Sequence, residues 1–477
     1  MFNASCLRVS NVAIRTTSAP AQRISAAEAA AKVKSGFWLD YGGCLAQPDV
    51  FDLALAARVH ELSNVGIRSS LAAKPRAVLE CDPDGAHFQW YSWHFSAYER
   101  AKFDAGICYH IPPNLGEMDD YYRRFIDPID MVVLKVRPAN AEGVFSFGPT
   151  SAWLRALVER AKTLIVETST AVPYVYGVGN SVHIGEVDYI IEGDNAPLPE
   201  LKSPPITDVD RAIARTIAAE VDDGACLQIG IGGMPNAVCS LLRDSGARDL
   251  GIHTEMLTDG LVELYQAGVV TGARKQLDPG KAVFTFAHGS QSTYDAMDSN
   301  ADMLCCSVDY TNLPHNIMQN DRVFSINSTT QMDLQGQAAS ETDGHRHISG
   351  TGGQLQFVRG AYASRGGKSF MCLSSLFEKR GVRKSRIVLD LTPGNIVTTP
   401  RTDTMYVVTE YGMVNLKGKS VADRARVMIS LAHPDFREEL ERQAYENRLI
   451  PRAIYLAQKS ERKNLVTVSH VSGNGKV

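Results

Sequence analysis

The sequence has no apolar run of the roughly 20 residues that a bilayer-spanning helix requires, and no marked excess of charge of either sign. The first lack points to a soluble protein. The second, a formal net charge of -4 over 477 residues, argues against broad binding to nucleic acid or an anionic membrane, while allowing a local basic patch for one phosphate. Paired cysteine motifs are missing too. The 9 cysteines are scattered and odd in number, with no CxxC spacing, so neither a disulfide framework nor a zinc knuckle is expected. Cys305 and Cys306 are adjacent and read as small buried strand residues. Acidic residues are absent before Glu28, whereas Arg8, Arg15 and Arg23 are interspersed with Ser and Thr. That composition is expected of a mitochondrial transit peptide over residues 1–24, although a disordered basic terminus has the same composition.

What is present is an ordinary globular balance, 44% hydrophobic and 21% charged, in a chain too long for one compact core. Folding is expected to begin at Ser25, which with Glu28 forms a capping-box pattern. Short β-rich runs then alternate with helical ones. MVVLKV and TLIVETS come first, separated by WLRALVERA. CLQIGI, LGIHTE, AVFTFA, RVFSIN, RIVLDL and MYVVTE follow later. Between the two series, the segment 193–205 holds four prolines and little apolar pattern, so it reads as a linker. Two α/β domains with mainly parallel sheets are expected, at 25–205 and 206–477. In such sheets ligands collect at the carboxyl ends of strands.

Three features fall at strand ends. Gly230, Gly232 and Gly233 follow CLQIGI, and Pro235 is expected to open a helix whose free N–H groups would suit an anion. Glu255 ends the next run, LGIHTE. It is either a capping carboxylate or, with the glycines, part of a dinucleotide site for a nicotinamide-dependent oxidoreductase. Pro235 stands where that fingerprint has its third glycine, which disfavours the dinucleotide reading. Gly350, Gly352 and Gly353 form a third cluster in HISGTGGQLQFVRGA, suited to an oxyanion, a thioester carbonyl or a plain hairpin. His345 and His347 would share a strand face, but with no third ligand no metal is expected.

Taken together, GIGGMPNAV, LGIHTEM, SGTGGQLQFVRGA and VVTEYGMVNLKGKS resemble the acetyl-CoA hydrolase/transferase family, which includes 4-hydroxybutyrate, acetate and succinate CoA-transferases. FSFGPTSAW and TLIVETSTAVPYVYG extend the likeness into the first half. The resemblance implies two similar open α/β domains with the active site between them. It implies Glu255 as the nucleophile, Gly230, Ile231, Gly232, Gly233 and Met234 as CoA contacts, and Asn312 and the Gly353 backbone as groups polarising the reacting carbonyl. Lys368 in RGGKS corresponds to a CoA-phosphate contact, and Glu410 in TEYG to a supporting carboxylate near the reaction. Leu355 and Gln356 depart from the family's apolar–Asp pair before the Phe.

The chemistry so implied is ping-pong transfer of CoA, with acetyl-CoA as donor and succinate as acceptor. Hydrolysis by the same glutamate is the alternative if water reaches the thioester. An unperturbed Glu is ionised near neutral pH, so no general base is needed. No cofactor is expected beyond coenzyme A itself as substrate. The expected partners are acyl-CoA, small carboxylic acids and further copies of the chain in a homo-oligomer, with neither nucleic acid nor membrane.

Overall fold

The structure, a computed structural model, describes residues 15–17, 19–452 and 455. Two eight-stranded sheets organise it. The first runs in the order 108–110, 88–92, 65–69, 38–40, 131–136, 163–168, 189–192, 22–23, with every pairing parallel. The second runs 303–305, 282–287, 251–257, 226–229, 323–328, 368–372, 406–409, 412–415, and only the last strand is antiparallel. Apart from the outer strands 22–23 and 412–415, both sheets lay four strands outward to one side, then return past the first of these and build three the other way. The halves are therefore topological copies, each with one switch point where ligands are expected.

The runs read as strands have the right composition to be buried on both faces. Met131–Val136 and Ala282–Ala287 are buried at every position, as parallel strands covered by helices require. One hydrophobic core is continuous across both halves, from Val132 and Leu157 to Ile252 and Phe324. The proline-rich linker has no regular structure and is fastened to the second half, where the Leu201 N–H donates to the Gly289 carbonyl (3.0 Å). Among the described residues, no helix is long and apolar enough to cross a membrane.

Three expectations need revision. Folded structure begins before Ser25: Gln22–Arg23 pairs with Tyr189 and Ile190 as the edge of the first sheet, and Arg15 is ion-paired with Asp188 (2.5 Å). Arg15, Thr17 and Gln22–Ile24 thus contact the first half; residues 1–14 and 18 of the expected transit peptide lie outside the described residues. The Ser25–Glu28 capping box is present, within the fold rather than at its start. Of RIVLDL, only Ile387–Val388 is strand, in a small three-stranded sheet beside Gln331–Asp333. Pro235 stands third in helix Gly233–Asp244, still within the first turn where no N–H partner exists.

Candidate active site

Glu255 lies near the carboxyl end of strand Gly251–Leu257 and is partly buried. Its neighbours are brought from two other elements. Helix Val308–Asn312 ends on Asn312, which is fully buried and donates from Nδ2 to Glu255 Oε2 at 2.6 Å. The glycine cluster turns into helix Gln354–Ala363, with Gly353 as its cap, and the Gly353 N–H also donates to the carboxylate. A Cβ on Gly353 would collide with both Asn312 Nδ2 and Glu255 Oε2. Only glycine lets that N–H approach. Gly352 has φ +56, and a Cβ there would meet Glu255 Oε1 at 3.4 Å, so a turn-forming glycine is needed there as well.

Burial pushes the Glu255 pKa up to about 7, against the opposing pull of the Asn312 and Gly353 donors. Burial thus disfavours the charged form, and the sequence expectation of an ordinary acidic carboxylate does not hold. No cation pairs with it among the described residues. The preceding His253 is buried and held neutral, its pKa depressed by desolvation to about 3, and it bonds to the Thr311 carbonyl at 2.8 Å. That contact ties the Glu255 strand to the Asn312 helix.

Glu255 opens on a cavity of about 200 Å³ between the two halves. The second half contributes Gly230, Ile231, Gln228, Asn327 and Gly353, and the first contributes Gly43, Cys44, Leu71, His94 and Trp153. Gln228, Ser325 and Asn327 form a closed hydrogen-bonded set at 2.7–3.2 Å. The halves are latched beside Glu255. The Leu115 N–H donates to the Gly352 carbonyl (3.0 Å), and the Gly116 N–H to Gln356 Oε1 (2.8 Å). Gln356, in the helix that follows Gly353, thus fastens this segment to the other half, which gives its departure from the family's Asp a structural role. A larger depression of about 940 Å³, lined by Arg215, Asp222 and Arg322, lies at the opposite, amino ends of the second sheet. It holds no group aimed at acyl chemistry.

The other expected residues divide. Gly230 and Ile231 line the cavity. Gly232 caps the helix with φ +125. A Cβ on Gly233 would meet the Asp210 carboxylate at 2.7 Å. A phosphate at this helix start would face an existing anion, which disfavours the anion seat expected there. Met234 is 5% exposed and belongs to the core, not to a ligand surface. Lys368 opens its strand three strands away from Glu255, and its Nζ pairs with Glu220 at 2.7 Å. A carboxyl-end CoA phosphate is out of its reach. Glu410 follows a strand four places away, roughly 19 Å across the sheet at the usual strand spacing. It accepts from Ser375 N (2.9 Å) and Oγ (2.6 Å) and does not line the cavity. His347 packs against the His110 ring at 4.8 Å.

The sequence reading missed the first-half wall. Its signal was available: WLDYGGC places Gly42–Gly43 directly after strand Trp38–Asp40, the topological match of the Gly230 loop after Cys226–Ile229.

Family models place this architecture. The acetyl-CoA hydrolase/transferase N-terminal domain matches residues 11–202 and the corresponding C-terminal domain residues 289–444. The butyryl-CoA:acetate CoA-transferase of Anaerostipes caccae is 44% identical over 419 residues, covering 87% of this chain and 94% of its own length. The chain belongs to the acetyl-CoA hydrolase/transferase family. The 4-hydroxybutyrate coenzyme A transferase of Clostridium kluyveri is 40% identical, covering 74% of this chain and 81% of its own. The crystal structure of RipA from Yersinia pestis superposes with a TM-score of 0.82 at 38% identity, over 90% of this chain and 98% of that one. Within the family this chain is a CoA-transferase.

Proposed function

We propose that the enzyme carries CoA between acids on Glu255, by way of an acyl-glutamyl anhydride and a glutamyl-CoA thioester. The observation that carries this reading is a carboxylate facing an interdomain cavity, with two donors aimed at it and no cation beside it among the described residues. Ionised Glu255 attacks the acyl-CoA carbonyl, forming the anhydride and expelling CoA thiolate. The thiolate attacks the glutamyl carbonyl, which releases the first acid as its carboxylate and leaves Glu255 as the thioester. An incoming carboxylate attacks that thioester and expels CoA thiolate again. The thiolate then takes the new acyl group and restores the Glu255 carboxylate. No net proton is taken up.

Each tetrahedral stage places an oxyanion near the nucleophile. Asn312 Nδ2 and the Gly353 N–H, already bound to the carboxylate, are the donors for it, and such a donor is worth about 3–4 kcal/mol. The Leu115 and Gln356 latches keep the halves together and limit water around the thioester. Acetyl-CoA as donor rests on the family resemblance, and so does assembly as a homo-oligomer. A mitochondrial leader rests on the basic, acid-free composition of the N-terminal segment. The mature N-terminus, read by mass spectrometry from the native organelle, checks it.

The test of function is CoA release from acetyl-CoA with and without an acid acceptor. Transfer predicts stable label movement into a new acyl-CoA only when acid is present. Release that ignores the acceptor would make the enzyme a hydrolase.

A further inference from the structure

We infer that Thr150 and Trp153 form a second donor pair, which holds the oxygen that the substrate acid itself brings to Glu255. The inference rests on the CoA-transfer reading above and deepens it, by assigning residues to the acid's side of the anhydride.

The chemistry calls for donors on both sides. An acyl-glutamyl anhydride has two carbonyl oxygens, one on each side of its bridging oxygen. Asn312 Nδ2 and the Gly353 N–H are bound to the Glu255 carboxylate, so they stay with the glutamyl oxygen. The acid's own oxygen carries charge whenever the acid is free and whenever its carbon is tetrahedral. As CoA thiolate adds to that carbon, the C=O electron pair moves onto the oxygen. It returns as the bridging C–O bond breaks and Glu255 leaves as carboxylate. Among the described residues neither Lys nor Arg lines the cavity, so neutral donors must meet this charge.

Several polar side chains of the cavity are already committed. Gln228 and Asn327 close on one another and on Ser325. Gln354 Nε2 donates to Thr399 Oγ1 (2.9 Å), and Ser70 Oγ to the His94 carbonyl (3.4 Å). Thr150 and Trp153 differ. Both line the cavity and are only 1% and 3% exposed. Thr150 Oγ1 and Trp153 Nε1 nevertheless have no hydrogen-bond partner among the described residues. A buried polar group left so costs ~1–3 kcal/mol, and an indole N–H can only donate. Two unspent donors on one wall suit an oxygen that arrives with the substrate.

That wall is fixed in place from both halves. Residues 149–152 come from the first half and run along the carboxyl end of strand Ala282–Ala287. Thr150 is bridged to Phe286, the Ser151 and Ala152 N–H groups both donate to the Thr285 carbonyl (3.0 and 3.1 Å), and the Ala287 N–H donates to the Pro149 carbonyl (2.7 Å). Phe286 pairs in turn with Met256, the residue after Glu255. The Thr150 backbone thus lies two strand spacings, about 10 Å, from the segment of the nucleophile, which leaves room for an acid between hydroxyl and carboxylate. The indole of Trp153 lies over Gly43, where a Cβ would meet Cη2 at 3.0 Å. Glycine at that position of the cavity wall lets the ring reach it.

The test follows the enzyme–CoA thioester. Enzyme is loaded with acetyl-CoA, freed of acetate by gel filtration, and its intact mass is followed in buffer alone and with butyrate. Thr150→Val keeps the shape of the side chain and removes the hydroxyl, and Trp153→Phe removes the N–H. Each should lower butyrate-driven loss of CoA, relative to loss to water, at least about tenfold, whereas Thr150→Ser should stay within about threefold of wild type. Asn312→Ala, on the glutamyl side, should slow both routes together. A ratio unmoved in both Thr150→Val and Trp153→Phe would overturn the assignment, and so would a Thr150→Ser variant as impaired as Thr150→Val. Wild-type enzyme that never gains the mass of CoA on Glu255 would instead defeat the transfer reading itself.

Discussion

Removing the charge of Glu255 should make the protein more stable while abolishing turnover. Glu255→Gln keeps the shape of the side chain and an oxygen for Asn312, which lies 2.6 Å away. The carboxyl has a pKa of about 7 in the folded chain and an ordinary value near 4.3 once unfolded. Between those values the folded protein holds a proton that the unfolded chain has released, so stability falls as pH rises through that window and is level beyond it. At about 1.36 kcal/mol per pH unit, the ionised form costs ~3–4 kcal/mol of stability above neutral pH. Glutamine does not titrate. The gap between variant and wild type should thus be small near pH 4 and open to ~3 kcal/mol by about pH 8. Calorimetric midpoints of both proteins across that range measure it as a pH-dependent difference of a few degrees. A difference independent of pH, or a variant less stable than wild type in alkali, would refute the claim that burial strains this carboxylate.

The same group should govern the rate. Because the ionised carboxylate attacks, kcat/KM for acyl-CoA should rise with pH through a midpoint near 7 and level off above it; a profile flat across neutral pH would contradict this. Asn312→Ala should lower kcat about 10²–10³-fold, the usual cost of one oxyanion donor. It should also move that midpoint upward, since the lost hydrogen bond favours the ionised form. Lys368→Ala should leave KM for acyl-CoA unchanged, because the ammonium serves Glu220 at the amino end of its strand; a raised KM would restore it as a phosphate contact.

Strands were legible wherever burial on both faces forced a continuous apolar run. Ala282–Ala287 falls on the residues of AVFTFA, and Met131–Val136 on those of MVVLKV. Gln22–Arg23 left no such mark, because a two-residue, exposed edge strand has no period to read and its pairing partners, Tyr189 and Ile190, lie far away in sequence. RIVLDL misled for the converse reason: its apolar residues cover a small accessory sheet, not the main one. At the site, Glu255, Asn312 and Gly353 stood out because each sits in a compact motif and the structure joins them. Lys368 and Glu410 also sat in motifs, but a motif does not say which end of a strand, or how many strands away, a side chain will be. The first-half wall of the cavity was the least visible, because its residues come from strand-end turns far apart in sequence that only the facing of two sheets brings to Glu255.

Chemical capture of the intermediate tests the covalent role of Glu255 most directly. The enzyme is mixed with acyl-CoA in the absence of acceptor, treated with borohydride and mapped by peptide mass. Reduction of a glutamyl thioester should convert the Glu255 carboxyl to an alcohol, in that peptide alone and only after exposure to acyl-CoA. An unmodified Glu255 peptide from enzyme that is turning over, or reduction at a different carboxylate, would contradict it.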